Sequence, residues 1–296
     1  MKHYDINFIG HLCLDETLHA DGGRIRTFGG AAVYGAVAAA SLGKSIAVEL
    51  KLAGGDEAAV SFLRSKGIDV LAIPAAETTQ VEVSHPGGKI DERRIVTTHY
   101  AGKFAAGEVK RVPARHVHLA GCNDHEFGLD FVRAIRSGAE SLSIDVQCLV
   151  RNNDPRTGEI AFADDPDTSQ FVALMDKVKL DIFEAELLCG TDDPQEAARI
   201  VQSWGCPEVM ITRADGVFVR CGRHSAFAKF SHKSLAGRTG RGDTTFGAYL
   251  AARIDHEPAE AAEYAAALVS LKMERPGPFT GTLDDVLSRM KEARGG

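Results

Sequence analysis

This chain has no surplus of positive charge. Its 34 lysines and arginines stand against 41 aspartates and glutamates, a net charge of −7. That balance disfavours a broad nucleic-acid surface, though it leaves room for a local basic pocket around a phosphorylated ligand. No apolar stretch is long enough to span a bilayer. The start, Met1 to Asp15, holds only a short apolar run broken by His11 and Asp15, which does not read as a signal peptide. Six cysteines (Cys13, Cys122, Cys148, Cys189, Cys206, Cys221) form no CxxC. They are expected to be reduced, mostly buried thiols of a cytoplasmic protein. Repeats, low-complexity tracts and linkers are missing too. Gly43-Lys44-Ser45 imitates the end of a P-loop, but the first glycine of that motif is replaced by Ala38, and the helix precedes the Gly-Lys-Ser. No G-x-G-x-x-G follows the first strand, which argues against a nicotinamide enzyme.

What is present centres on Gly237-Arg238-Thr239-Gly240-Arg241-Gly242-Asp243 and the residues after it. The glycines and arginines hold regular structure poorly. From Thr244 to Ile254, Phe246, Tyr249, Leu250 and Ile254 recur at helical spacing. A glycine loop running into a helix start leaves unpaired N–H groups at the positive end of the helix dipole, which suits an anion. Asp243 at its rim would be a base beside a bound phosphate. The competing local reading is a flexible turn with Asp243 as an N-cap.

Upstream, the pattern alternates. Asp5 to Leu14 reads as a strand, with Asp15 just past it, where α/β sheets bind ligands. Gly29-Gly30 precedes a helix of small residues, Val33 to Leu42, closed by Gly43. Strand, helix and strand follow to Ile73, the signature of a mostly parallel sheet. From Thr78 to Tyr100 the helix signal vanishes. Alternating runs on either side of Pro86-Gly87-Gly88 read as an inserted hairpin, either a lid or an edge extension. His116 and His118 would share one strand face, but no third metal ligand has clear spacing. Arg151 lies just beyond a strand ending at Asp145-Val146-Gln147. Another short strand ends at Glu184-Ala185-Glu186, and Arg213-Ala214-Asp215-Gly216 turns tightly after a strand ending at Thr212.

Taken together, these features resemble the ribokinase/PfkB family of carbohydrate and nucleoside kinases over nearly the full length. That family's Asp-Thr-x-Gly-Ala-Gly-Asp signature stands here as Gly237 to Asp243. Its Gly-Gly pair before a small-residue helix stands as Gly29-Gly30 through Leu42-Gly43. Gly10 with Asp15 matches its first-strand aspartate, Phe183 to Glu186 its Asn-x-x-Glu, and Thr212 to Gly216 its adenine-side turn, one residue shorter.

The resemblance implies an α/β, ribokinase-like three-layer sandwich with a mostly parallel central sheet and a small β lid. One domain would span residues 1–296, with lid elements at about 12–28 and 78–104. It implies ATP-dependent phosphorylation of a hydroxymethyl group on a sugar, polyol or nucleoside. Asp243 would be the general base, and the backbone of Gly240, Arg241 and Gly242 the anion hole. Glu186 would place Mg²⁺ through water. Asp15, Gly29, Gly30, Tyr34 and Arg151 would meet the acceptor, with Tyr34 standing where relatives carry asparagine. Thr212, Gly216 and Arg238 would meet the nucleotide. Relatives often dimerise through the lid.

Gly237 removes the aspartate that helps many relatives hold a monovalent cation, so a potassium requirement does not carry over. Arg238, Arg241 or Arg275 is expected to supply the charge instead. A binding protein that kept this fold and lost catalysis is the alternative. Retention of Asp243, Gly240, Gly242 and Glu186 speaks against it.

Overall fold

The computed structural model of the chain describes residues 2–18, 23–84 and 94–295. Its centre is a nine-stranded sheet whose strands run β15-β14-β13-β12-β9-β8-β1-β4-β5. These are β1 Tyr4–His11, β4 Ile46–Ala53, β5 Asp69–Ala75, β8 Ala114–Leu119, β9 Leu142–Asp145, β12 Lys177–Asp181, β13 Glu208–Thr212, β14 Gly216–Cys221 and β15 His224–Lys229. All are parallel up to β13, and the hairpin β14–β15 closes one edge antiparallel.

Alternation along β1 sends Ile6 and Phe8 to one face and Ile9 to the other, so each face has its own apolar layer. One layer packs under α1 Ala31–Ser41, α2 Glu57–Ser65, α8 Arg241–Ala252, α9 Pro258–Met273 and α10 Leu283–Gly295. The other packs under α3 Leu129–Arg136, α4 Gln147–Val150, α5 Thr168–Ala173, α6 Ile182–Cys189 and α7 Pro194–Ser203. The result is the expected three-layer α/β arrangement. Among the described residues no helix is long and apolar enough to cross a membrane.

A second, four-stranded sheet runs β3-β2-β6-β7. It comprises β2 Cys13–Leu18, β3 Arg24–Gly29, β6 Thr79–Ser84 and β7 Arg94–His99. The inserted hairpin is therefore present as β6 and β7, and its expected turn, Pro86-Gly87-Gly88, lies outside the described residues. The single strand expected over Asp5 to Leu14 is two. Extended backbone continues past Leu12, but β1 ends at His11 and Cys13 already pairs with Gly29 and Thr79 in the small sheet. The small sheet is thus mixed, since β2 runs parallel to β6 and antiparallel to β3. Its β7 is braced by a short hairpin the sequence did not announce, β10 Arg151–Asn153 with β11 Ile160–Phe162. Thr97 N–H donates to Gly158 O (2.8 Å), and Thr97 Oγ1 donates to Asn153 Oδ1 (2.9 Å).

The helices that carry the site touch backbone to backbone. A Cβ on Gly247 of α8 would fall 2.4 Å from the Cα and carbonyl oxygen of Gly35 in α1. Alanine is worth about 1 kcal/mol over glycine in a helix interior, but here it would force two helices apart, and overpacking typically costs about 1–3 kcal/mol. Gly247→Ala is therefore expected to lower the unfolding free energy by about 1–3 kcal/mol in urea titrations. Unchanged or greater stability would contradict this crossing.

Candidate active site

Helix α8 begins earlier than its apolar spacing suggested. Gly240 is its N-cap, in a left-handed conformation with φ 74°, so Asp243 is the third residue of the helix and not its cap. The first helical bond is Thr244 N–H to Gly240 O (2.9 Å). Arg241 N–H turns back onto Arg238 O (3.2 Å). Among the described residues nothing accepts from the N–H groups of Gly242 and Asp243. The anion hole expected over Gly240, Arg241 and Gly242 therefore shifts: Arg241 N–H is engaged, and Asp243 N–H joins the free donors. The side chains of Arg238 and Arg241 both have partners.

Asp243 is held by a residue the sequence did not single out. Gln147, at the start of α4, donates from Nε2 to Asp243 Oδ1 (3.0 Å) and to Gly121 O (3.0 Å). This leaves Asp243 Oδ2 without a hydrogen bond among the described residues, open to an incoming hydroxyl. The signal for Gln147 was its place: a polar residue just past the strand end at Asp145, where an open α/β sheet keeps its chemistry.

Behind the helix start lies a buried cluster of charge. Lys179 Nζ is 3.0 Å from Asp145 Oδ2 and 3.7 Å from Glu184 Oε2. It also abuts α8, since a Cβ on Gly242 would lie 3.0 Å from it. Burial works against this ammonium, but the Asp145, Glu184, Asp181 and Asp243 carboxylates outweigh it and hold Lys179 firmly protonated. Arg151 joins from α4–β10, its Nη2 3.4 Å from Glu184 Oε1. Burial opposes its charge as well, and Glu184, Asp145, Asp181 and Asp243 raise it again. Arg151, expected at the acceptor, therefore sits with the charges behind the anion loop.

The acidic residue turned to this cluster is Glu184, and Glu186 is exposed. The reason is local. Residues 182–189 form a helix, and its first turn closes a capping box. Asp181 Oδ1 accepts Glu184 N–H (2.8 Å) while Glu184 Oε2 accepts Asp181 N–H (2.7 Å). Read as a strand end, the segment gave no face to either glutamate. As a helix it buries Glu184 and sends Glu186 to solvent.

On the other side of Asp243 stands Asp15, in β2. It lines a cavity of about 420 Å³ with Glu16, Arg26, Phe28 and Gln80 of the small sheet and Gly277 of the loop after α9. Burial and then the Asp243 carboxylate push its pKa up to about 7. Gly29 is required beside it, because a Cβ there would lie 3.2 Å from Asp15 Oδ2 and 2.5 Å from the Tyr34 ring. Gly30 caps α1 with φ 91° and has no room for a side chain against His11 O. The Tyr34 ring also fills the space over Gly240, where a Cβ would be 2.6 Å away. Tyr34 thus joins the Asp15 side of the site to the anion loop.

Thr212 and Gly216, expected at the nucleotide, stand at the end of β13 and the start of β14, with Thr212 paired beside Asp181. Thr212 is buried and its hydroxyl donates to Leu180 O (3.4 Å). Gly216 starts β14, where the Phe227 ring and Ala228 O leave no room for a Cβ. Both residues have structural work in the hairpin. His116 and His118, for their part, both bond to Ser143 Oγ, at 2.7 and 2.9 Å.

A sequence profile of the pfkB family carbohydrate kinases matches residues 7–284. A pyrophosphate-dependent kinase in the ribokinase family, solved with a pyrophosphate analog and myo-inositol, is 31% identical. It superposes with a TM-score of 0.87, covering 96% of this chain and 99% of that one. A cytidine kinase of Thermococcus kodakarensis is 25% identical over 267 residues, 86% of this chain and 91% of that protein. A fructokinase of Xylella fastidiosa with bound ATP shares the fold at 20% identity, with a TM-score of 0.78 over 98% and 99% of the two chains.

A carboxyl whose folded pKa is raised withdraws stability as pH climbs from its unfolded value, and the loss levels off above the folded value. For Asp15 that window runs from the ordinary 3.8 to about 7. Asp15→Asn is therefore expected to gain stability over wild type from pH 4 to 7, reaching about 2–4 kcal/mol at pH 8. Urea unfolding at pH 4.5 and pH 8 measures it, and equal gains at both pH values would contradict the assignment.

Proposed function

The chain belongs to the pfkB family of carbohydrate kinases, and we propose that it transfers a phosphoryl group from pyrophosphate to a ring hydroxyl of a cyclic polyol of the myo-inositol kind. It is a phosphotransferase to an alcohol. The donor and acceptor named here are narrower than that and replace the expected ATP and hydroxymethyl group. The observation that carries the reading is the Lys179 ammonium packed against Gly242 at the start of α8, with Arg151 behind it. Pyrophosphate is compact and highly charged and brings no base or sugar for the protein to grip. Fixed buried cations and helix N–H groups suit it. The relative that holds a pyrophosphate analog and myo-inositol at 31% identity supports the same choice.

In this reading the polyol lies in the cavity beside Asp15, its hydroxyls donating to that carboxylate. One hydroxyl reaches Asp243 Oδ2, which accepts its proton as the oxygen attacks phosphorus. Gln147 keeps the carboxylate turned to the acceptor. The N–H groups of Gly242 and Asp243 face the oxygens of the transferring phosphoryl group. Inorganic phosphate leaves toward Lys179 and Arg151. The small sheet, as a lid, would keep out water, which competes with the polyol as acceptor.

Magnesium fits the acidic corner. Asp145 and Glu184 are both buried, and they stand on either side of Lys179, which lies 3.0 Å from Asp145 Oδ2 and 3.7 Å from Glu184 Oε2. Among the described residues no three side chains converge to ligate an ion directly. That suits Mg²⁺ carried on the donor phosphates with most of its water. Asp145 and Glu184 would hold those waters, and the bound ion would neutralise phosphate charge.

A nucleotide donor is the second reading. Phe183, next to Glu184, is 73% exposed, and a base could cover its ring. Assays with Mg·pyrophosphate and Mg·ATP against myo-inositol, ribose and cytidine separate the two. Pyrophosphate is expected to give the higher kcat/KM, by about tenfold or more, a difference of about 1.4 kcal/mol. ATP turnover at equal or higher kcat/KM would overturn the donor, and turnover confined to ribose or cytidine would overturn the acceptor.

A further inference from the structure

Lys272 lies in the last turns of α9 and is 2% exposed. Among the described residues it has no carboxylate within ion-pairing distance. A buried ammonium without a counter-ion is costly unless its donors are met. Here two backbone carbonyls meet them. Nζ donates to Gly237 O (2.6 Å) and to Thr239 O, and stands 4.9 Å from the centroid of the Tyr34 ring. Both carbonyls belong to the loop that leads into the free N–H groups of α8.

The loop is shaped to receive this contact. Gly237 N–H donates to Met273 O (2.7 Å). A Cβ on Gly237 would fall 1.7 Å from Arg275 O and 2.9 Å from Lys272 O, so only glycine lets the loop lie on the end of α9. The planar peptide then sets direction. Carbonyl and N–H of one peptide unit point opposite ways. With Gly237 O and Thr239 O drawn to Lys272, the N–H groups of Arg238 and Gly240 point away from it. The chain therefore enters α8 with its donors facing the site. Of the three arginines expected to supply this charge, one is turned elsewhere. Arg275 is exposed and acts on Asp285.

We propose that Lys272 is a built-in cation for the anion loop: a positioning residue that orients Gly240 to Asp243 and does the work of a bound monovalent ion. The proposal rests on phosphoryl transfer at the start of α8 and is independent of which donor is used. Burial lowers the Lys272 pKa to about 8 while Asp243 pulls the other way, so the group is charged at neutral pH.

The test compares wild type, Lys272→Ala and Lys272→Met in tetramethylammonium buffer with added Li⁺, K⁺ or NH₄⁺. Wild type is expected to be indifferent to the ion. Lys272→Ala is expected to lose kcat by about 10²-fold, the scale of removing one anion-hole donor. It should recover about tenfold or more with K⁺ or NH₄⁺ and not with Li⁺. Lys272→Met, which fills the space without charge, should lose as much and recover nothing. Phosphate affinity, followed by calorimetry on the same proteins, should weaken in both variants and recover only in Lys272→Ala. Activity of Lys272→Met within about twofold of wild type, a wild type that itself requires K⁺, or folded Lys272→Ala rescued by no ion would each overturn the proposal. A wild type inactive with every donor and acceptor defeats the functional reading instead, and phosphate affinity then decides the role of Lys272.

Discussion

A helix that starts inside a protein must find partners for the N–H groups of its first turn. In this chain α8 starts inside the fold and, among the described residues, leaves Gly242 and Asp243 N–H without one. The rest of the site follows from that constraint. Gly240 supplies the left-handed turn that lets the loop enter the helix. The Gly35–Gly247 crossing ties α8 to α1, and α1 starts at the Gly29-Gly30 turn beside Asp15. Gln147 fixes Asp243 from the end of the sheet, and Lys272 fixes the loop from the end of α9. Three separate stretches of chain, α1, α4 and α9, therefore hold one helix start in a single orientation. Such pre-positioned donors are where most of the catalytic power of an acyl- or phosphoryl-transfer site resides.

Charge is arranged around this point in two halves. Behind the loop, buried Lys179 and half-buried Arg151 stand among carboxylates that keep them charged. On the acceptor side, Asp15 lines the cavity, and burial and then the Asp243 carboxylate push it toward neutrality. On the proposed reading, the donor half suits multiple negative charges and the acceptor half a neutral, hydroxyl-rich molecule. Stability given up at Asp15 is the cost of an acceptor carboxylate held next to a base.

Much of this was legible before any coordinates. Strand–helix alternation gave the parallel sheet, the break after Thr78 gave the inserted hairpin, and the glycines before Asp243 gave a loop running into a helix start. The losses have physical reasons. Periodicity cannot separate a short strand from the first turn of a helix, so α6 was missed and Glu186 stood in for Glu184. The extended backbone from Tyr4 to Leu18 hid a change of sheet at Leu12. Cys13 and Cys122, remote in sequence, lie with sulfurs 3.6 Å apart, a proximity that only the folded topology creates. Lys272 left a trace that could have been followed: it interrupts an otherwise buried helical run from Ala265 to Met273 with a full charge. A lysine there needs partners, and the carbonyls of Gly237 and Thr239 are those it finds.

On the proposed reading, Asp243 takes the acceptor's proton while playing little part in holding the acceptor. Steady-state kinetics and acceptor calorimetry on Asp243→Asn test it together. A positioned general base is worth about 10²–10⁴-fold in rate. The account predicts a fall of that size in kcat with the acceptor Kd changed by less than about threefold. A variant that keeps wild-type kcat, or loses activity only in step with acceptor affinity, would contradict it.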